Sequence, residues 1–291
     1  MLSITPEFII QYQAKTLRAS PGKLLKTTQD AIDFVNQRGF ILFWPDPKMD
    51  LPNLWQAVAG KRPVPDDHDD PGHITWEWKD SLLDKKVWYY ARVIRKRNTM
   101  ISLALLPYFY ALSPNYGSPV EDIQDQYLQG VIPLEAKQLF ETLLEKGPLD
   151  TISLRKETHL SSSTATQPFQ RALNLLQRDF KVLPVGIAEV GAWRYAFRYE
   201  LTHRYFPDLI ESAHDITEVN ARIQLAQSYI DSVGAATSKQ VSMVFGWPLE
   251  ITQRLMDHHV EKEWLHCDIA SGNGTFSGYC SLVLTESIKL T

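Results

Sequence analysis

Apolar and polar positions along this chain repeat one order of elements. From about Leu134 to Leu201, and again from about Val219 to Leu284, an apolar helical stripe leads into a Gly-marked turn, two shorter helices and two β-rich strands. This order is typical of the winged helix, a helix-turn-helix followed by a β-hairpin wing. The pattern predicts an α+β fold with tandem winged-helix domains.

The first helix of each copy ends at a glycine, and a short polar side chain should cap the next helix. In the first copy the apolar stripe contains Leu139, Leu143 and Leu144. Gly147 ends that helix, and Thr151 should cap the next one. In the second copy the apolar stripe contains Ile223, Ala226, Ile230 and Val233. Gly234 ends that helix, and either Thr237 or Ser238 should cap the next one. The two glycines therefore take equivalent places.

The third helix of the first copy has an apolar and a polar face. Its apolar residues recur at helical spacing and predict one buried face: Phe169, Ala172, Leu173, Leu176 and Phe180. Its polar side chains are of the types that donate to phosphates or read base edges: Gln167, Gln170, Arg171, Asn174 and Arg178. A solvated helix face is the more common alternative.

The second copy is less suited to DNA. Its third helix, about Leu249 to Val260, carries Glu250 and Asp257, and Glu261 follows it. Because carboxylates repel phosphate, we expect this copy to brace the fold or to contact protein.

Each copy should end in a hairpin. The first is expected to pair Val182–Ala188 with residues 193–199 around Gly191, which places Arg194 on the return strand. The second should turn at Asn273-Gly274. A two-residue turn there would set the only two cysteines opposite each other, Cys267 and Cys280. They could form a disulfide or stay as thiols, and thiols are favoured because no signal peptide is evident.

The densest basic segment interleaves cations with aromatic rings. Its cations are Lys85, Lys86, Arg92, Arg95, Lys96 and Arg97, and its rings are Trp88, Tyr89 and Tyr90. Such a segment suits a nucleic-acid surface, where cations neutralise phosphates and rings stack on bases. Alternatively, it is a strand whose rings fill a domain interior.

The chain has 291 residues, a net charge of -4 and a pI near 6.1, so nonspecific coating of nucleic acid is not expected. No zinc-type Cys/His spacing and no long apolar run occurs in the sequence. We therefore expect a cytoplasmic monomer that has no metal, no cofactor and no membrane span. Four segments are predicted: an N-terminal helix and tail (1–27), an irregular winged-helix-like domain with a linker (28–133), and winged helices at 134–210 and 211–291.

Titratable groups are densest between residues 66 and 73. The candidates for catalysis there are Asp66, Asp67, Asp69, Asp70 and His73, beside His68. Crowded carboxylates should raise one another's proton affinity, so that one could act as an acid and another as a base. Alternatives are a divalent metal site, an internal ion-pair partner and, as the favoured interpretation, a solvated acidic loop. Four nearby tryptophans could stack an extruded base, although a core role is favoured: Trp44, Trp55, Trp76 and Trp78.

Several stretches resemble the AlkZ/YcaQ group of bacterial winged-helix DNA glycosylases: residues 35–40, 97–100 and 134–201. The likeness is closest to a branch related to those enzymes, in the runs 67–73 and 191–195. Tandem winged helices are the fold of that group, so the resemblance implies DNA binding and a role similar to repair.

The resemblance also implies a Gln-x-Gln or Gln-x-Asp motif that would activate water just after the glycine ending the first domain's helix. Residues 39–44 stand there and read Gly-Phe-Ile-Leu-Phe-Trp. Apolar side chains cannot hold a nucleophilic water, so that chemistry does not transfer to these positions. The Gln-x-Gln at residues 11–13 lies in the N-terminal helix, ahead of the domain, and is a coincidence.

Three functions fit these patterns. The favoured one is a DNA-binding protein that recognises damaged or distorted duplex DNA, with DNA glycosylase activity left open. The second is a sequence-specific transcriptional regulator, although no dimerisation helix is evident. The third is a winged-helix scaffold that binds protein, for which the acidic second copy is the main support.

Overall fold

The computed structural model describes residues 2–271 and 274–284. Within them, the order helix, strand, helix, helix, strand, strand occurs three times. Each occurrence forms an antiparallel sheet in which its last strand lies between the other two. We call these the first, middle and C-terminal units. The mixed α+β class is as predicted, and the segment expected to be irregular has the same order as the other two.

The N-terminal segment packs on the C-terminal unit. It contains β1 (Leu2–Ile4) and α1 (Pro6–Thr16). The hydroxyl of Tyr12 donates to the carbonyl of Asp231 at 2.7 Å. The helix agrees with the sequence prediction, whereas the strand was not predicted.

The first unit begins with a helix that is capped at both ends. Thr27 caps this helix reciprocally with Asp30, and Gly39 ends it in a left-handed conformation at φ 78. The elements of the unit and of the connection after it are α2 (Thr28–Arg38), β2 (Phe40–Leu42), α3 (Leu54–Ala59), α4 (Ile74–Leu82), β3 (Tyr89–Arg92), β4 (Asn98–Ile101), α5 (Leu106–Ala111) and α6 (Pro119–Leu128).

The middle unit follows its predicted order, with one cap corrected. The expected cap was Thr151, but the Asp150 carboxylate accepts the backbone N–H groups of Ile152 and Ser153. Asp150 has the extended backbone that a capping residue needs, and its charge suits a helix N-terminus. The elements are α7 (Leu134–Lys146), β5 (Leu149–Asp150), α8 (Thr151–Glu157), α9 (Thr166–Arg178), β6 (Val182–Ala188) and β7 (Ala196–Leu201).

The C-terminal unit confirms Gly234 as the stop of its first helix and Thr237 as the next cap. The connection from the middle unit contains α10 (Thr202–Tyr205) and α11 (Leu209–His214). The elements of the unit are α12 (Glu218–Val233), β8 (Ala235–Ala236), α13 (Ser238–Phe245), α14 (Leu249–His258), β9 (Trp264–Ser271) and β10 (Gly274–Ser281). The strand β1 pairs with β9 in parallel and extends this sheet.

The two cysteines are not opposite each other as predicted. Cys267 pairs with Gly278, and Cys280 pairs with Leu265, so the cysteines are diagonal neighbours. Both are buried free thiols. The register differs because Gly274 already pairs with Ser271 as a strand residue. Residue 273 of the predicted Asn-Gly turn lies outside the described residues.

One of the apolar clusters spans all three units. A single cluster joins Tyr89 of the first unit, Phe180 beside α9, and Tyr229 and Trp264 of the C-terminal unit. Such continuity fixes how the surfaces of the units face one another. In residues 2–271 and 274–284, no helix is both long and apolar enough to cross a lipid bilayer.

Candidate nucleic-acid interface

A cleft of about 360 Å³ lies between the first and middle units. The first unit contributes Arg92 and Asn98, from the ends of β3 and β4. The middle unit contributes Gln170 and Asn174 from α9, together with the loop before β7. The cleft therefore brings together candidates from two segments that are about eighty residues apart in the sequence.

Hydrogen bonds fix the polar wall of the cleft. The Arg92 Nη1 group donates to Asn174 Oδ1 at 3.3 Å. The backbone N–H of Arg92 donates to Gln177 Oε1, also at 3.3 Å. Since Arg92 has five side-chain N–H groups, it can keep this bond and still donate to a bound phosphate or base.

The helix α9 presents its faces as the sequence predicted. All five predicted apolar residues are buried, which confirms that face. On the other face Gln167, Gln170, Arg171 and Arg178 are exposed, and Asn174 is half-buried. The guanidinium of Arg178 is engaged by Asp179, with Nε–Oδ1 at 2.7 Å and Nη2–Oδ2 at 2.9 Å. Its charge is thus largely compensated.

The loop between β6 and β7 forms the other wall. The return strand begins at Ala196, so Arg194 lies in the loop and not on the strand as predicted. Arg194 has a left-handed backbone at φ 49, which is incompatible with a strand, and it pairs with Glu189 at 2.8 Å. Beside it, Trp193 is 92% exposed and lines the cleft. Trp193 was not among the residues predicted to bind DNA.

A buried lysine anchors this loop to the first unit. Lys79 of α4 is 3% exposed, and its Nζ lies 2.9 Å from Tyr195 Oη and 2.5 Å from Asp80 Oδ1. The rings around it include Phe197, whose centroid is 4.6 Å from Nζ. Burial lowers the pKa of Lys79, and the charge of Asp80 opposes that change.

One pattern in the sequence could have revealed this lysine. Along α4, the buried residues Thr75, Trp78 and Lys79 share a helical spacing that continues to Leu83. Lysine on a buried helical face needs partners, and Tyr195 and Asp80 supply them.

The basic segment keeps its six cations exposed and buries its three rings. The alternative of interior rings is therefore confirmed for Trp88, Tyr89 and Tyr90. Some of the cations have internal partners: Arg97 binds Asp46 at 2.6 Å, Lys85 binds Asp84 at 3.2 Å, and Lys86 lies over the Tyr205 ring.

Comparison with known proteins identifies the family. The sequence profile described as AlkZ related matches residues 25–246. The chain belongs to the AlkZ-related family. Among solved structures it is similar to the DNA glycosylase AlkZ of Streptomyces sahachiroi, with a TM-score of 0.60 and 12% sequence identity over 100% of this chain and 73% of that chain. No curated protein matches the sequence. At this identity, the structural likeness concerns the fold.

The acidic run of this AlkZ-related chain is organised as a loop. Arg62 binds Asp70 through both guanidinium nitrogens, at 2.8 and 2.5 Å, and Asp70 also accepts the N–H of Gly72. Asp67 accepts the N–H of Asp69 within a turn. The pKa of Asp70 is lowered, chiefly by the bond from Arg62, which is opposite to the predicted mutual rise in proton affinity.

The other groups of this run do not assemble into a metal site. Asp66, Asp67, His68 and Asp69 are exposed, and His73 is half-buried among the rings of Trp44, Trp55 and Trp76. Among the described residues, no three His, Cys, Asp or Glu side chains are placed to hold a metal ion. Trp55 and Trp78 are core residues, while Trp76 is 40% exposed.

Residues 40–43, where the resemblance implied a water-activating motif, are buried in this family member. Phe40, Ile41 and Leu42 form β2, and each is at most 1% exposed. Phe43 is likewise 1% exposed. These side chains pack into two apolar cores and present no polar atom to the cleft.

Proposed function

We propose that this AlkZ-related chain binds duplex DNA that is damaged or distorted, through the cleft between the first and middle units. The observation that carries the proposal is that the exposed ring of Trp193 and the polar groups of Arg92, Gln170 and Asn174 line one cleft. We further propose that each unit is a winged-helix domain, within the segments 28–133, 134–210 and 211–291.

The composition of the cleft favours an unstacked base over an intact base pair. Ile152, Val190 and Trp193 supply an apolar wall. A base that has left its stack offers a flat face to such a wall, and each base stacked on an aromatic ring contributes about 1–3 kcal/mol. Arg92 and the amides on α9 can bind the edge of that base or the neighbouring phosphate. A paired base in regular duplex exposes no such face.

Glycosylase chemistry at β2 is not part of this proposal. Hydrolysis of a glycosidic bond needs a group that positions water and a group that stabilises the developing positive charge. The apolar side chains of β2 do neither, and they are buried. In the acidic loop, the Asp70 carboxylate pairs with Arg62 and accepts the backbone N–H of Gly72. We therefore propose recognition without base excision, by a single copy of the chain.

The test compares duplexes of one sequence that are fully paired, mismatched, bulged or alkylated at one base. We expect the distorted duplexes to bind at least about tenfold more tightly, because only they present a base to the cleft. Trp193→Ala should remove most of this preference. Tyr116→Ala is the matched control, since Tyr116 is an 80% exposed ring that does not line the cleft.

Two outcomes would contradict the proposal. Equal affinity for paired and distorted duplexes, with a preference for one sequence, would instead support a regulator. Release of an alkylated base above the buffer level, beside an active glycosylase as positive control, would show that the chain is an enzyme.

A further inference from the structure

A second cavity, of about 260 Å³, lies where the three units meet. Three arginines line it: Arg95 from the turn between β3 and β4, Arg178 at the end of α9, and Arg222 on α12. Arg95 and Arg178 were predicted to bind DNA from two separate segments of the sequence, and no role was predicted for Arg222. The cleft described above contains none of these three residues.

The three guanidinium groups differ in how far their charge is compensated. Asp179 engages Arg178 through both of its oxygens. Arg222 uses Nε and Nη2 to bind Glu218 Oε1, at 3.0 and 2.7 Å. Its Nη1 is buried without a hydrogen-bond partner among the described residues. Arg95 is exposed and has no hydrogen bond or ion pair with any residue that the structure describes. The cavity therefore has unused donors and excess positive charge.

Among the four aromatic rings of described residues that line this cavity, the ring of Trp247 already has two partners. Phe245 stacks on Trp247 with centroids 4.4 Å apart and an interplanar angle of 15°. The Arg222 guanidinium carbon lies over the same ring, 4.8 Å from its centroid. Phe245 and Arg222 therefore already cover part of this ring. The free donors suit an anion.

The backbone that presents Arg95 is strained. Arg95 and Lys96 are consecutive residues in the left-handed region, at φ 47 and φ 63. This region is unfavourable for every residue other than glycine. Strain of this kind persists where the surrounding structure imposes it, and it is concentrated at ligand sites.

We infer that this junction cavity binds a phosphate of the DNA backbone through Arg95 and Arg222. Guanidinium groups offer paired N–H donors that match phosphate oxygens, and they keep their charge at any physiological pH. The inference rests on the proposed function, because it extends the path of the same DNA beyond the cleft.

The helix α9 connects the two sites. Asn174 lines the cleft and Arg178, one turn later, lines the junction cavity. Four helical residues span roughly 6 Å along the axis. Successive phosphates of one strand are about 3.4 Å apart along the duplex axis. A strand that runs parallel to α9 with a base in the cleft would thus bring a phosphate to the junction about two nucleotides away.

The test measures the affinity for paired and distorted duplexes over a range of KCl concentrations. Removing one phosphate contact should lower the slope of log Kd against log salt by about one. We expect this change for Arg95→Gln, with equal weakening for both duplexes. Arg222→Gln should behave in the same way, and thermal unfolding checks that it folds. Arg254→Gln is the matched control, since Arg254 is exposed on α14 and lines neither cavity.

A second measurement uses inorganic phosphate without DNA. Phosphate should raise the Tm of the unaltered chain and of Arg254→Gln, but not that of Arg95→Gln. An unchanged salt slope in Arg95→Gln overturns the inference and leaves DNA binding by the cleft intact. If the unaltered chain binds no duplex at all, the proposed function fails. If phosphate then still raises the Tm in a way that depends on Arg95, the cavity binds a free phosphate compound. That outcome also overturns the inference that the phosphate belongs to DNA.

Discussion

Lys79 Nζ donates a hydrogen bond to Tyr195 Oη at 2.9 Å and thereby links the first unit to the loop between β6 and β7. Tyr195 Oη in turn donates to Asp80 Oδ1 at 3.0 Å. Tyr195 follows Trp193 and Arg194 in the loop and lines the cleft. The position of the cleft wall thus depends on a contact between two units.

Tyr195→Phe should lower the free energy of unfolding by about 1–2 kcal/mol, because it leaves buried Lys79 without one acceptor and Asp80 without one donor. Denaturant unfolding measures the change. Tyr116→Phe is the control, since that exposed hydroxyl should contribute almost nothing. Equal stability of the two variants would mean that the hydroxyl of Tyr195 does not hold the loop.

Gln170→Ala should weaken binding of distorted duplex by about 1–3 kcal/mol if its amide binds a base edge. Gln167→Ala provides the comparison on the same helix, because Gln167 is exposed but does not line the cleft. Fluorescence anisotropy at one salt concentration is sufficient. Similar losses for both variants would place the DNA along the whole of α9 and not in the cleft.

Gly39→Ala should destabilise the protein more than Gly22→Ala. Both glycines have φ 78, so the backbone strain of about 1–2 kcal/mol is common to them. A Cβ at Gly22 meets nothing within 4 Å, whereas at Gly39 it overlaps the Ser228 hydroxyl and lies 2.8 Å from Leu105 Cδ2. The difference between the two variants, measured by thermal unfolding, reports how tightly α2 packs on α12. No difference would contradict this close approach.

Lys181 should make stability depend on pH. Burial lowers its pKa from the ordinary 10.5 to about 8 in the folded protein, although Asp179 and Asp122 oppose the change. Between these values the unfolded chain binds more protons, so the free energy of unfolding rises with pH from about 8 to 10.5. Below pH 8 Lys181 is protonated in both the folded and the unfolded state, so burial of its charge lowers the free energy of unfolding by the full amount.

Lys181→Met should reduce that rise, as measured by denaturant unfolding at several pH values. Lys239→Met, which changes an exposed lysine, should leave the pH dependence as it was. The same slope in Lys181→Met and in the unaltered chain would show that Lys181 is not the group responsible.

Helices with a clear apolar stripe and a cap could be predicted from the sequence. The end of α12 at Gly234 and the buried face of α9 agree with their spacing, because local capping and burial decide them. The first unit was expected to be irregular because proline-rich connections follow β2 and α3 and interrupt the pattern. Its sheet order depends on pairing between β2 and β4, which are separated by more than fifty residues.

The cleft could be predicted only in parts. Arg92, Gln170 and Asn174 were identified by residue type, but their meeting depends on the packing of the first unit against the middle unit. Trp193 was missed because its exposure is a property of the folded loop. The acidic run was conspicuous by composition alone, and the bidentate bond from Arg62 to Asp70 gives it a structural role.

The pairing of β1 with β9 joins the opposite ends of the polypeptide. Residues 2–4 cover the outer edge of a strand that begins more than two hundred and sixty positions later. Trimming this short segment would leave N–H and C=O groups along β9 unpaired, and such an open edge is a template for self-association. Residues 2–4 thus protect the sheet of the C-terminal unit from aggregation through the edge of β9.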